Sequence, residues 1–167
     1  MLWKPRWDEI NLIARNSNIE TFADAASINY DESLSNDIDN YDVRKISNTY
    51  DNLSVLNNAT KLVVKQRNKL QATDTIKINI SGMRVADYRL DIKPSAMSSI
   101  GLVGILKDKF LQSETVLSLD NANAVNFSVT SDAGSRAADR FMIVFKSLPT
   151  ASFTTISAIV MQIKLYK

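Results

Sequence analysis

Cysteine and histidine are both absent from this chain of 167 residues, which carries only four glycines and three prolines. Without cysteine there is no disulfide, no thiol nucleophile and no thiolate ligand. Without histidine, zinc sites of the Cys/His type and every triad or general base built on imidazole are excluded. An excess of one charge is missing too. Twenty Lys+Arg face 18 Asp+Glu, and a formal charge of +2 is too small and too evenly spread to argue for nucleic acid or a membrane surface. No run approaches the roughly 18 uninterrupted apolar residues of a membrane-spanning helix. The most apolar stretch, Ile156 to Leu165, is broken by Ser157, Gln162 and Lys164. The first residues do not read as a signal peptide, because Lys4, Arg6, Asp8 and Glu9 stand where an apolar region would have to be. There is no P-loop, no G-x-G-x-x-G and no G-x-S-x-G, and Gly101-Leu-Val-Gly104 is too short and apolar to cradle a phosphate.

What is present is alternation with period two, the pattern of strands buried on one face. Ile76, Ile78 and Ile80 alternate with Lys77 and Asn79; Tyr88, Leu90 and Ile92 with Arg89 and Asp91; Val125, Phe127 and Val129 with Asn126 and Ser128. Phe141, Ile143 and Phe145 share one face while Met142 and Val144 fill the other, as in a strand covered on both sides. Ile10, Leu12 and Ala14 open the set, Leu62 and Val64 add a short strand between lysines, and Ile159, Met161, Ile163 and Leu165 close it. Turn chemistry separates the runs at Asn57-Asn58, Ser81-Gly82, Lys93-Pro94-Ser95, Asp120 to Asn123 and Asp132 to Ser135, and Ser131 to Arg136 around the last reads as a hairpin loop. This rhythm predicts an all-β antiparallel sandwich, jelly-roll-like, of about eight strands. It forms a single domain over 1–167, with 1–9 and 157–167 as linker ends. A helix is expected near Gly101 to Leu111. The length and the 45% apolar content suit one such domain without any metal or disulfide.

One region breaks the pattern. Residues 20–51 hold eight acids against Arg44 and Lys45, and the next stretch carries Lys61, Lys65, Arg67 and Lys69 with no acid. Segment 29–42 reads as a long loop, a kind of element that is commonly functional. Asp37, Asp39 and Asp42 could offer oxygen ligands to calcium, although an EF-hand is ruled out by Asp42 at the glycine position and Asn48 at the bidentate one. The alternative is an acidic loop solvated and loosely paired with the basic strand. Tyr30, Tyr41 and Tyr50 could supply a platform on which a sugar ring stacks, or could anchor the loop to the sandwich. No two acids stand out as a glycosidase pair. The basic residues 61–69 share strand parity and lack interleaved aromatics for base stacking, so they read as solvent-facing edge protection.

The order of several short motifs resembles a known module. Asp37-Ile-Asp-Asn-Tyr-Asp-Val-Arg-Lys-Ile46 is followed by Asn52-Leu-Ser-Val-Leu56, Asp74-Thr-Ile-Lys-Ile78, Tyr88-Arg-Leu-Asp-Ile92 and Leu106-Lys-Asp-Lys-Phe-Leu111. Asn126-Phe-Ser-Val-Thr130 and Arg140-Phe-Met-Ile-Val-Phe145 complete the series. Together, over residues 10–156, they resemble a β-sandwich module of large secreted surface proteins of Bacteroidetes. That module precedes the sorting segment read by the type IX secretion system. The resemblance implies a secreted or cell-surface location as part of a longer chain, and a structural or adhesive role without catalysis. Its expected partners are other domains of the parent chain and a polysaccharide or cell-surface glycan, with no nucleic acid and no membrane span. A carbohydrate-binding module using the 29–51 loop, with calcium as its one candidate cofactor, is the alternative.

Overall fold

The computed structural model describes residues 6–16, 19–94 and 101–148. Eleven strands run in chain order: β1 (Arg6–Asn16), β2 (Ile19–Tyr30), β3 (Val43–Arg44), β4 (Asn52–Asn57), β5 (Thr60–Arg67) and β6 (Thr75–Ser81). They continue as β7 (Ala86–Lys93), β8 (Leu102–Asp108), β9 (Ser113–Leu117), β10 (Asn123–Val129) and β11 (Phe141–Ser147). All belong to one sheet in the order β10-β7-β1-β2-β5-β4-β6-β11-β8-β9, with β3 paired to β5. The sheet folds over on itself into two layers and nearly closes. Its two end strands, β9 and β10, are consecutive in sequence, and Asn123 cinches the turn between them by donating to the Ser118 carbonyl (2.9 Å). No helix among the described residues is long and apolar enough to cross a membrane.

The alternating runs do what their chemistry demands. Leu12, Ile28, Leu53, Ile78, Ile80 and Leu90 are buried between the layers, each contributing roughly 1.5–3 kcal/mol by leaving water. Tyr88 stacks on Phe127 at 5.5 Å, and Phe127 meets Phe141 edge-on at 4.9 Å, joining β7, β10 and β11 across the fold.

The all-β sandwich expectation holds, with differences in detail. The described residues form eleven strands rather than about eight, joined in one continuous sheet. One pairing is parallel: Ser27 to Tyr30 of β2 lie beside Val64 to Arg67 of β5. Short connections forbid parallel neighbours, but β2 and β5 are separated by residues 31–59, long enough for the chain to cross back. The expected helix near Gly101 to Leu111 is strand β8, whose Gly104 allows close approach: a Cβ there would stand 3.2 Å from Leu119. The loop at Asp132 to Ser135 is no hairpin, since β10 pairs with β7 and β11 with β6 and β8. It carries the chain across the sandwich through a short 3-10 turn, Gly134–Arg136. Strand β1 begins at Arg6, inside the stretch read as a linker end. The alternation at Ile159 to Leu165 lies outside the described residues.

Candidate functional site

The three tyrosines singled out in the sequence part company. Tyr30 continues the inward parity of Ala26 and Ile28 and is buried at the end of β2. Its hydroxyl has no hydrogen-bond partner among the described residues, and Tyr30 helps line an apolar cavity of about 30 Å³ with Ile10, Ile76 and Phe145. Burial, with the charge of Asp8 beside it, pushes that hydroxyl's pKa well up. Tyr41 is 66% exposed on the outer loop, where its carbonyl accepts from Gln66 Nε2. Only Tyr50 stands at a concave surface.

The acidic loop is not loosely solvated. The Asp42 side chain is enclosed, and its carboxylate accepts from Lys65 Nζ at 2.9 Å and from the Gln66 backbone N–H at 2.7 Å. Lys65 also donates to the Asp37 carbonyl (2.9 Å), while Asp39 Oδ1 accepts from the Tyr41 N–H in a local turn. Lys65 is therefore buried, not part of a solvent-facing stripe; Arg67 pairs with Asp74 at 2.6 Å and Lys69 with Glu32. Among the described residues no group of three or more acids is placed to share a metal. A calcium ion at Asp42 would compete for the oxygens that Lys65 and Gln66 now hold. A neighbouring contact serves the same purpose, as Asp24 accepts from Lys45 Nζ (3.0 Å) and the Leu53 N–H (2.6 Å).

The concave surface is an open groove of about 940 Å³ at one end of the sandwich. Its walls hold Phe22, Tyr50 and Val85, and its polar lining includes Asn16, Asn48 and Arg84. Phe22 reaches it through a β-bulge. The β1–β2 register runs Leu12 opposite Asp24 and then Ile13 opposite Phe22, leaving Ala23 as the extra residue. Without that residue Phe22 would lie opposite Ala14 and share its inward parity. The bulge instead turns Phe22 outward, 63% exposed, and Ala23 packs on the core in its place.

Tyr50 is fixed by the turn that leads into β4. Asn52 closes this turn, accepting from the Asn48 N–H (2.6 Å) and donating to the Asn48 carbonyl (3.0 Å). Asp51 takes the left-handed conformation (φ 53°) and donates its N–H to the carbonyl of Gly82, itself at φ 64°. The Asp51 carboxylate accepts from the Arg84 backbone N–H (3.1 Å), from Arg84 Nε (2.9 Å) and Nη2, and from the Tyr88 hydroxyl (2.7 Å). Burial works to raise the Asp51 pKa, but the Arg84 and Tyr88 hydrogen bonds outweigh it and hold the carboxyl below the usual range. Burial, then the bond to Asp51, raises the Tyr88 hydroxyl. The Arg84 guanidinium lies 5.5 Å from the centre of the Tyr50 ring and covers one face of it. Tyr50 itself remains 58% exposed.

Beyond the groove, the seam of the sandwich is closed by Arg140. It is 1% exposed and donates to Asp108 through Nε (2.9 Å) and Nη2 (2.7 Å), and through Nη1 to the carbonyls of Ser128 (2.9 Å) and Ser135 (2.7 Å). Phe110, Phe127 and Phe141 surround the guanidinium at 4.8–5.1 Å. Asp108 Oδ1 in turn accepts from the Phe110 and Leu111 N–H groups and so shapes that loop.

Sequence reasoning found Tyr50 but missed Phe22, Arg84 and Val85. The signal available for them was weak: β2 presents Asp24 and Ala26 to the interior, which blurs the alternation that would have marked it as a strand. Comparison with known protein families, with curated proteins and with solved structures finds no match to this chain.

Proposed function

We propose that this chain is a non-catalytic structural and adhesive module of a secreted bacterial surface protein, and that its adhesive face is the groove at Phe22, Tyr50 and Val85. The observation that carries this reading is the contrast between the groove and everything beneath it. Aromatic and apolar side chains are held outward around a concavity by a bulge and a locked turn, on a scaffold whose buried charges are tied in static pairs. Exposed apolar groups rimmed by polar ones are what binding faces present. The titratable groups on the groove floor support the absence of catalysis. Asp51 is held as a carboxylate and Tyr88 as a neutral phenol, both tuned away from proton exchange near neutral pH. The motif order that resembles the Bacteroidetes surface module supports the secreted setting.

Carbohydrate is the ligand chemistry favoured by one specific observation: exposed Tyr50 and Phe22 stand beside Asn16 and Asn48, a flat apolar surface next to amide groups that can bond hydroxyls. Retention of the purified protein on insoluble polysaccharides tests the reading. Tyr50→Ala should lose retention by about tenfold, the loss of one well-placed anchor. Tyr41→Ala, outside the groove, should behave as wild type. Equal retention of the Tyr50 and Tyr41 variants would remove the groove from the account.

A further inference from the structure

A second depression, of about 350 Å³, lies against the groove and shares with it the wall formed by Arg15, Asp87 and Tyr88. Its far side is built from Phe110 and Leu111, with Asn126 and Thr130 between. Leu111 is exposed, so an apolar side chain again borders amide and hydroxyl groups. We propose that the two depressions are consecutive subsites for one uncharged polysaccharide chain, which crosses the sheet from β1 over β7 to β10. This rests on the reading of the groove as the binding face.

Three observations select that ligand. The first is continuity: Arg15, Asp87 and Ser128 stand opposite one another in register on three adjacent strands. Arg15 donates to Asn126 (3.1 Å) and the Ser128 hydroxyl to Asp87 (2.6 Å), so a single row of polar side chains links the subsites. With strands about 4.8 Å apart, that row spans about 10 Å, more than one sugar ring. The second is charge. Arg84 is paired with Asp51, Arg15 with Glu20 at 3.3 Å and Arg140 with Asp108, so the cations that line the path are already matched. Acidic polymers gain nothing here from electrostatic attraction. The third separates glycan from peptide. An extended peptide binds by adding to open strand edges, whereas β1 and β7 are paired on both sides. On β10 the Ser128 carbonyl is taken by Arg140, and just past its end the Thr130 N–H is taken by Ser135 Oγ.

The test is an array carrying neutral polysaccharides, acidic polysaccharides and extended peptides, followed by titration of the bound species as a series of increasing chain length. The expected result is binding to a neutral polymer, with affinity that rises on the order of tenfold once the oligosaccharide is long enough to fill both depressions. Leu111→Ala should remove that rise and leave short oligosaccharides unaffected, whereas Tyr50→Ala should weaken all lengths. A neutral ligand with no length dependence and no response to Leu111→Ala would overturn the two-subsite inference and leave the groove reading standing. Capture of an acidic polymer or a peptide at the same residues would overturn the choice of ligand. Binding to nothing, or binding indifferent to Tyr50→Ala and Phe22→Ala, would overturn the groove reading itself.

Discussion

Two arginine–aspartate pairs border adjoining depressions of this molecule and do opposite work. Arg140 is sealed among three phenylalanines, both oxygens of Asp108 face it, and its remaining bonds go to the backbone carbonyls of Ser128 on β10 and Ser135 in the crossing turn. Arg84 grips Asp51 through the same fork, yet its side chain is 60% exposed and only one ring lies beneath it. In the first pair the carboxylate and the guanidinium are both buried; in the second only the carboxylate is. Chemistry alone therefore does not assign a role to such a pair. Burial of the cation does: one pair closes a seam, the other leaves a charged, flat group at a surface where a ligand can meet it.

The sharpest way to test this contrast is to remove the buried cation. Arg140→Met should cost about 3–5 kcal/mol, because Asp108 is left charged and unpaired inside the protein, measured by denaturant unfolding. Arg140→Lys should rescue little of it, since an ammonium cannot reproduce the planar fork.

Lys65 offers an intermediate case, a buried cation that holds a loop and not the seam. Lys65→Met should cost about 2 kcal/mol, the value of hydrogen bonds to a charged group. It also frees Asp42, so this variant should gain a rise of a few degrees in melting temperature in calcium over EDTA, whereas the wild type gains none. A calcium-dependent rise in the wild type would mean that the ion displaces Lys65 and that the acidic loop is a metal site.

Asp51 comes next. Its pKa in the folded protein lies below the ordinary value of 3.8, so its contribution to stability is complete above that value and is lost as pH falls through the lower, folded one. Asp51→Asn keeps a residue that accepts the left-handed backbone, and should cost about 1–3 kcal/mol near neutrality through weakened hydrogen bonds. The gap between wild type and variant should narrow as acid protonates Asp51. A constant gap across that range would show that the charge of Asp51 contributes nothing. The smallest effect belongs to Arg84→Lys, which should leave the melting temperature nearly unchanged, in direct contrast to Arg140→Lys.

These pairs also mark where the sequence stops being readable. Ile76 to Ile80, Tyr88 to Ile92 and Phe141 to Phe145 declare their strands because every second side chain in each is apolar and buried in the core. Arg140 gives no such sign. Its partners Asp108 and Ser128 are 32 and 12 residues away, and a charge at the start of a strand reads as exposed until the fold brings them to it. Lys65 misleads for a related reason: its side of β5 would face solvent if the 36–42 loop did not lie over it. Strand β8 hides because both of its faces are covered, which turns alternation into a short apolar run that a helix could equally produce. Phe22 depends on one extra residue in β2, a difference that hydrophobic pattern cannot register.

The parallel pair has a mechanical meaning. Strand β1 lies in the half of the sheet made of β10, β7, β1 and β2, and β11 lies in the other half. Among the described residues the strand pairing that joins these halves is Ser27–Tyr30 beside Val64–Arg67, extended by the Asp31 N–H donating to the Arg67 carbonyl (3.0 Å). A pull on the chain at these two strands enters one half and leaves by the other, so its load path runs through this short parallel pairing and the Arg140 seam. If the chain carries load as the proposed surface role requires, its resistance to tension is set by how fast that narrow junction shears, not by the size of the core on either side.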